Sequence, residues 1–157
     1  MIEIQDFCKQ LLEHSGVEFV ESEVEETDSE VLIKLTIPTE DVGLFVGKYG
    51  ETLQALQRIV RIVFSHQNGE KRLVVDINEY RSNRMDSVRE MATTAAEKVL
   101  QTSHPTTITT YLSSAERFVV HSLIGESEEY AQLESFSIGE GRSRRVVIQL
   151  KESSENK

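Results

Sequence analysis

Residues 46–57 read Val-Gly-Lys-Tyr-Gly-Glu-Thr-Leu-Gln-Ala-Leu-Gln, and this stretch decides the predicted fold. Gly47 can adopt a positive φ angle and end a helix predicted over residues 39–46. Gly50 lets the backbone turn directly into a second helix, predicted over residues 51–64. Because neither glycine has a Cβ, a sugar–phosphate chain can approach the loop, where the first N–H groups of the second helix suit phosphate oxygens. Taken alone, however, the Gly-x-x-Gly tetrapeptide is more often a tight turn between helices.

The elements around this loop predict an αββααβ unit over residues 2–78, the order of a type II KH domain. Apolar residues at helical spacing predict the first helix over residues 2–14. Val17, Phe19 and Val20 predict the start of a strand, which an acidic turn at residues 25–29 joins to the strictly alternating strand 31–37. The last strand of the unit is predicted at residues 73–77.

The helix over residues 51–64 has two predicted faces. Its apolar stripe is expected to be buried and consists of Leu53, Leu56, Ile59, Val60 and Val63. The polar residues Gln54, Gln57, Arg58 and Arg61 fall on another face. Arg58 and Arg61 lie beyond the Gly-x-x-Gly loop on this side, so they are either contacts to a phosphate-containing ligand or solvated charges.

The rest of the chain predicts an αβαββ unit over residues 79–151, with the domain boundary at 78/79. Its helices are expected over residues 79–100 and 113–124, the second ending at Gly125. Its strands are expected over residues 106–110, 134–138 and 145–150. Residues 152–157 have the composition of a disordered tail.

Arg117 and His121 lie four residues apart in the second of these helices, so both side chains should occupy one face. Phe118, Val119, Val120 and Leu123 are expected to pack inward. Together, an arginine and a histidine can contact a phosphate or a base edge, with the histidine titrating near its reference pKa of about 6.5. A solvated helix face is the commoner explanation of this spacing on its own.

Three segments resemble the bacterial Jag family. Residues 46–57 resemble its KH segment, commonly Ile-Gly-Lys-Arg-Gly-x-Thr-Leu-x-Ala-Leu-Gln. Residues 115–121, Ala-Glu-Arg-Phe-Val-Val-His, resemble its Tyr-Glu-Arg-Arg-x-Val-His, whose Arg-x-x-x-His signature names the RxxxH domain. Residues 139–148, Gly-Glu-Gly-Arg-Ser-Arg-Arg-Val-Val-Ile, resemble its Gly-Glu-Gly-x-x-Arg-Arg-Val-Val-Ile. With residues 76–81 resembling the junction between the two domains, the resemblance covers about residues 2–151.

This resemblance implies an α+β protein with a type II KH domain (αββααβ) followed by an RxxxH domain (αβαββ). It implies that the protein binds single-stranded RNA, or single-stranded DNA, and holds about four nucleotides at the Gly-x-x-Gly loop. The predicted nucleic-acid-binding residues are Gly47, Lys48, Tyr49, Gly50, Arg58, Arg61, Arg117 and His121. Tyr49 and Phe118 stand where the family commonly has basic residues, which reduces the positive charge of both sites.

The net charge of −10 argues at first against a nucleic-acid partner, but it is unevenly distributed. Residues 1–41 hold 12 acids and 2 bases, whereas residues 42–151 hold 13 acids and 14 bases. The acidic N-terminal segment, Tyr49 and Phe118 favour a rival function as a protein-interaction adaptor, whose partner would be a KH-only protein. Phosphate-driven binding weakens steeply with salt, so salt dependence separates the two hypotheses.

The sequence contains no motif that is typical of the common enzyme and metal-binding classes. Neither Gly-x-Ser-x-Gly nor His-Glu-x-x-His occurs, the four histidines are scattered, and Cys8 is the only cysteine. We therefore expect no enzyme, metal, cofactor or small-molecule substrate. No apolar run approaches the roughly 18 residues of a membrane span, and the single cysteine fits a reducing cytoplasm. Jag proteins often have a further N-terminal domain, so the chain is a short form or a fragment.

Overall fold

The computed structural model describes residues 2–18, 20–66 and 70–152, which form two compact units. The first unit ends at Arg81 and the second begins at Ser82. Both combine helices with a small sheet, so the predicted α+β class is confirmed. The domain boundary at 78/79 stays a prediction. Of the tail predicted at 152–157, only its first residue lies within the described ranges.

The first unit has the predicted αββααβ order. Its elements are α1 (Ile2–His14), β1 (Glu21–Glu26), β2 (Glu30–Thr36), α2 (Thr39–Val46), α3 (Glu51–Val63) and β3 (Arg72–Ile77). The strands form one sheet in the order β1-β2-β3. β1 runs antiparallel to β2 through a short turn, whereas β3 runs parallel to β2 because α2 and α3 return the chain to the same end.

The core of this unit lies between the sheet and the helices. Alternate residues of β2 and β3 face it, with Ile33 opposite Val75 at its centre and both fully buried. Cys8 of α1 packs into the same core. Burial raises the pKa of the Cys8 thiol to about 11, so the group stays protonated at neutral pH.

Two predictions for the first unit are wrong in detail. The first strand begins at Glu21 and runs through the acidic segment, because Val24 is its only apolar residue and its glutamates point to solvent at a sheet edge. Val17 and Val20 precede it, while Phe19 lies outside the described residues. The buried stripe of α3 consists of Leu53, Leu56, Gln57 and Val60. Ile59 and Val63 are exposed instead, because only the arc facing the sheet is covered.

The second unit has the predicted αβαββ order. Its elements are α4 (Tyr80–Thr102), whose first residues belong to the first unit, β4 (Thr106–Ile108), α5 (Ser114–Glu126), β5 (Leu133–Ile138) and β6 (Arg145–Leu150). The strands form an antiparallel sheet in the order β4-β6-β5. Its inner face packs on α4 and α5, with Val88, Val120 and Ile148 fully buried in the core.

Two details of α5 differ from prediction. The helix continues through Gly125 to Glu126, and a Cβ at Gly125 would meet no atom within 4 Å. Phe118 is 69% exposed rather than buried, because the face of α5 that packs on the core is the one that carries Val120 and Ile124. None of the helices in the described ranges is long and apolar enough to cross a membrane.

Candidate nucleic-acid interface

The Gly47–Gly50 loop links α2 to α3 through an unusual run of backbone conformations. Gly47 has φ +71° and ψ 179°, and its N–H donates to the Gly43 carbonyl oxygen at 3.0 Å, which closes α2. Tyr49 and Gly50 are in the left-handed region, with φ of 58° and 79°. The chain thereby reverses within a few residues, as the glycine spacing predicts.

Both glycines are required by their immediate surroundings. A Cβ on Gly47 would lie 2.1 Å from Thr52 Oγ1 and 2.9 Å from the Thr52 nitrogen, so no side chain fits there. A Cβ on Gly50 would lie 3.0 Å from the ring of Tyr80, which packs against the first core. These contacts fix the loop on its inner side. A fixed loop presents its outer side to a ligand without an ordering cost.

The outer side of the loop offers a cation and the start of a helix. Lys48 is exposed beside Tyr49, with its Nζ 5.3 Å from the centroid of the Tyr49 ring. Gly50 is the N-cap of α3 and has no side chain to cap it. The positive end of the helix can therefore attract an anionic group, with Glu51 in its first turn as an opposing charge.

The side chains of Arg58 and Arg61 differ in their exposure and in their contacts within the protein. Arg58 is exposed on α3, as predicted for a residue that can meet a ligand. Arg61 is half-buried, and its Nε donates to the Leu73 carbonyl oxygen at 2.7 Å. Its Nη2 is buried and has no hydrogen-bond partner in the part of the chain that the structure describes. Arg61 is thus attached to β3 rather than extended into solvent.

The outer edge of β3 is covered by side chains that the sequence did not single out. Gln57 Oε1 accepts from the Val75 N–H at 3.4 Å and from Arg81 Nη2 in a short hydrogen bond. Arg81 Nε donates to the Val75 carbonyl oxygen at 3.3 Å. With Arg61 on the Leu73 carbonyl, these side chains satisfy backbone groups that a sheet edge otherwise exposes. Burial lowers the pKa of Arg81 from its ordinary value.

The second predicted site lies on α5, whose start is fixed by a buried acid. Ser113 and Glu116 form a reciprocal capping box. Glu116 also pairs with Arg84 of α4 at 2.5 Å, and the two side chains are only 6% and 17% exposed. This ion pair links α5 to α4 and so helps to fix the orientation of α5, which carries Arg117 and His121.

Arg117 and His121 lie on one side of α5, as their spacing predicts, and both are half-buried. Arg117 Nη1 donates to the Leu112 carbonyl oxygen at 2.8 Å. The His121 ring lies between two hydroxyl groups of β5, with Nδ1 2.8 Å from Ser135 Oγ and Nε2 3.2 Å from Ser137 Oγ. The alternating serines of β5 are a pattern that sequence reasoning could have used.

The electrostatics of His121 differ from the sequence-based expectation. Burial, Arg117 and Arg144 all lower its pKa below the reference value of about 6.5. At neutral pH the ring is therefore uncharged and acts as a hydrogen-bonding group rather than a cation. The two permanent charges that act on it are those of Arg117 and Arg144. The neighbouring Arg145 instead donates hydrogen bonds from its Nη1 to the carbonyl oxygens of Arg142 and Arg144.

Two family models match these units, the KhpA/KhpB KH domain over residues 3–77 and the R-three-H (RxxxH) domain over residues 86–150. RNA-binding protein KhpB of Bacillus subtilis (strain 168) is 29% identical over 128 residues, or 81% of this chain and 61% of that protein. RNA-binding protein KhpB of Clostridium symbiosum is 26% identical over 155 residues, or 91% of this chain and 68% of that protein. This chain contains a KhpA/KhpB KH domain followed by an R-three-H domain, as its resemblance to the Jag family implies.

The chain spans about three fifths of the length of the B. subtilis KhpB, and the alignment to KhpB of Lactiplantibacillus plantarum covers 35% of that protein. Both KhpB domains are present in order, and each contains one predicted site. The two departures from the family pattern are aromatic side chains at or near these sites: Tyr49 lies beside Lys48, and Phe118 follows Arg117.

Proposed function

We propose that this chain binds single-stranded RNA and acts as a post-transcriptional regulator or RNA chaperone in the bacterial cytoplasm. The relatives named above as RNA-binding proteins support this function. The proposal involves binding alone, with no catalytic step, metal or cofactor. Single-stranded DNA, which offers the same phosphates and bases, is expected to compete.

The observation that carries the proposal is the geometry of the Gly47–Gly50 loop. Two glycines leave the backbone without a Cβ, Lys48 lies between them, and the start of α3, which no side chain caps, follows directly. A phosphate at this position meets a full positive charge and the positive end of a helix together. A turn that merely connects two helices needs neither a lysine nor a helix start without a side-chain cap.

The second site contributes a different chemistry. Arg117 and Arg144 supply positive charge beside the neutral ring of His121, whose two nitrogens are both hydrogen-bonded to the hydroxyl groups of Ser135 and Ser137. The competing hypothesis is that Arg117 and His121 only hold α5 in place, because each already has a hydrogen bond within the protein. Melting temperature and RNA affinity, measured on Arg117→Ala and His121→Ala, separate the two: a lower melting temperature with unchanged affinity would support the structural role.

The loop is tested by replacing Lys48 and Tyr49 together with aspartate. We expect a folded protein with sharply weaker binding to a short labelled oligouridylate. The slope of log affinity against log salt should become shallower by about 0.7 for each phosphate that the protein no longer neutralises. Lys98→Asp is the matched control, since Lys98 is exposed on α4 and outside both sites. Parental affinity in the double variant would refute the loop as the site.

One observation favours the adaptor hypothesis as a second function. Ile59, Ile62 and Val63 are exposed side by side on α3, and an apolar patch of this kind is typical of protein contacts. A KH-only protein is the proposed partner. Ile62→Asp should then abolish the complex with this partner, as detected by size-exclusion chromatography, and leave RNA affinity unchanged. The double substitution Lys48→Asp and Tyr49→Asp should instead weaken RNA binding and leave that complex intact.

A further inference from the structure

Phe118 is an aromatic side chain that α5 turns toward solvent. It is 69% exposed, although the core of the second unit lies on the other side of the same helix. Along a helix of about 100° per residue, Phe118 falls between His121 on one side and Ser122 on the other. A single exposed apolar residue needs no explanation by itself. For Phe118, the features on its two sides suggest a function.

On one side of Phe118 lies a groove of about 650 Å³ between α4 and α5. Its lining is mixed rather than purely apolar. Thr93, Ser122 and Ser127 contribute hydroxyl groups, and Leu123 and Tyr130 contribute apolar surface. The lining also includes three charged residues, Arg89, Glu126 and Glu129. Small-molecule sites have volumes of about 300–1,000 Å³, so the groove has room for a planar ring with polar edges.

On the other side lies the cluster formed by Arg117, His121 and Arg144. His121 is fixed by the two serines of β5, and Arg117 lies one turn before it on the same face. Two permanent positive charges therefore lie on one side of Phe118, and a groove with hydroxyl groups lies on the other. An exposed aromatic ring next to cations is the combination that binds single strands, because bases stack on the ring while phosphates meet the charges.

We propose that Phe118 is a base-stacking residue, on which an unpaired base of single-stranded nucleic acid lies at the mouth of the α4–α5 groove. Arg117 and Arg144 neutralise the phosphates of that nucleotide and its neighbour. The inference rests on the proposed RNA-binding function and assigns this site a contact that is apolar and salt-independent. It also explains why an aromatic residue is compatible with binding at a position where the family commonly has a basic one.

The chain contains no tryptophan, so Phe118→Trp introduces a single tryptophan at the proposed contact, and its fluorescence can be excited selectively over that of the four tyrosines. Oligouridylate should quench this fluorescence in proportion to the bound fraction that anisotropy of a labelled oligonucleotide reports. An abasic oligomer of the same length presents the phosphates alone and should leave the fluorescence unchanged. Phe118→Ala should weaken oligouridylate binding about tenfold, within the range for removal of one stacked base. Its salt slope should equal that of the parent.

Phe136→Ala is the matched control, because this phenylalanine is 40% exposed and projects from the face of β5 opposite to the serines that hold His121. It should bind as the parent does. Binding of oligouridylate without quenching, or quenching by the abasic oligomer, would overturn the stacking role and leave the proposed function standing. Absence of any RNA binding by the parent would overturn both. If Phe118→Ala changed only the oligomeric state, Phe118 would belong to a protein contact and the inference would be wrong.

Discussion

Replacing Glu116 by alanine is expected to destabilise the second unit by about 3–5 kcal/mol. Oε1 of this carboxylate pairs with Arg84 Nε at 2.5 Å, and its Oε2 accepts from the Ser113 N–H at 2.6 Å. Removal of an N-terminal cap costs about 0.5–2 kcal/mol. Removing one partner of a buried ion pair costs about 3–5 kcal/mol, because the remaining charge is left buried and unpaired. The second effect dominates, since Arg84 is only 17% exposed.

Native-state hydrogen exchange measures this change directly as the opening free energy of amides in α5 and β6. Ser113→Ala isolates the cap and should cost about 1 kcal/mol. Arg89→Met is the control for an exposed pair, since Arg89 and Asp86 are 53% and 73% exposed at 2.9 Å, and it should cost at most about 1 kcal/mol. A cost for Glu116→Ala no greater than that for Ser113→Ala would refute the reasoning, because the pair with Arg84 would then contribute nothing.

Three further outcomes are expected. His121 has a lowered pKa in the folded state, so the unfolded chain binds its proton first and its stabilising contribution, present above about pH 6.5, is lost as the pH falls through the folded-state pKa. His121→Gln should reduce this acid-side decrease in stability in urea unfolding measured from pH 7.5 downward, and an unchanged pH profile would contradict it. Gly47→Ala should cost at least about 2 kcal/mol because of the contact with Thr52, while Gly43→Ala, with open space around it, should raise the melting temperature. Cys8 is buried with a raised pKa, so alkylation by iodoacetamide should proceed only at the rate of unfolding; rapid labelling of the folded chain would show the burial to be wrong.

The order of elements could be predicted because most of them have an apolar period of their own. β2 alternates strictly, and the Gly-x-x-Gly loop marks the junction of α2 and α3. β1 was misplaced because its position depends on pairing with β2 rather than on its own sequence, in which Val24 is the only apolar residue. A strand at a sheet edge needs little burial to form once its neighbour is in place.

The placement of Arg117 and His121 on one helix face could be predicted from the sequence, whereas their surroundings could not, and their role in binding stays a prediction. The spacing of Arg117 and His121 placed both on one face, but it could not show that β5 supplies hydroxyl groups to the ring or that burial lowers its pKa. Arg61 has the spacing of a surface residue on α3, yet it reaches the β3 edge, because arginine is long enough to hydrogen-bond across to a neighbouring strand. Such contacts join residues far apart in sequence, and no local pattern reports them.

The steric demand at Gly47 and Gly50 affects how the evolution of such loops should be interpreted. A Cβ at either position would collide with Thr52 or crowd Tyr80, so selection for folding alone would retain both glycines. A related sequence that bound no RNA would keep its Gly-x-x-Gly signature for as long as it kept the fold. Between them, Lys48 is exposed and Tyr49 adopts a left-handed backbone without being a glycine. The identities of these two middle residues, rather than the glycines around them, are therefore where gain or loss of binding would be recorded among related sequences.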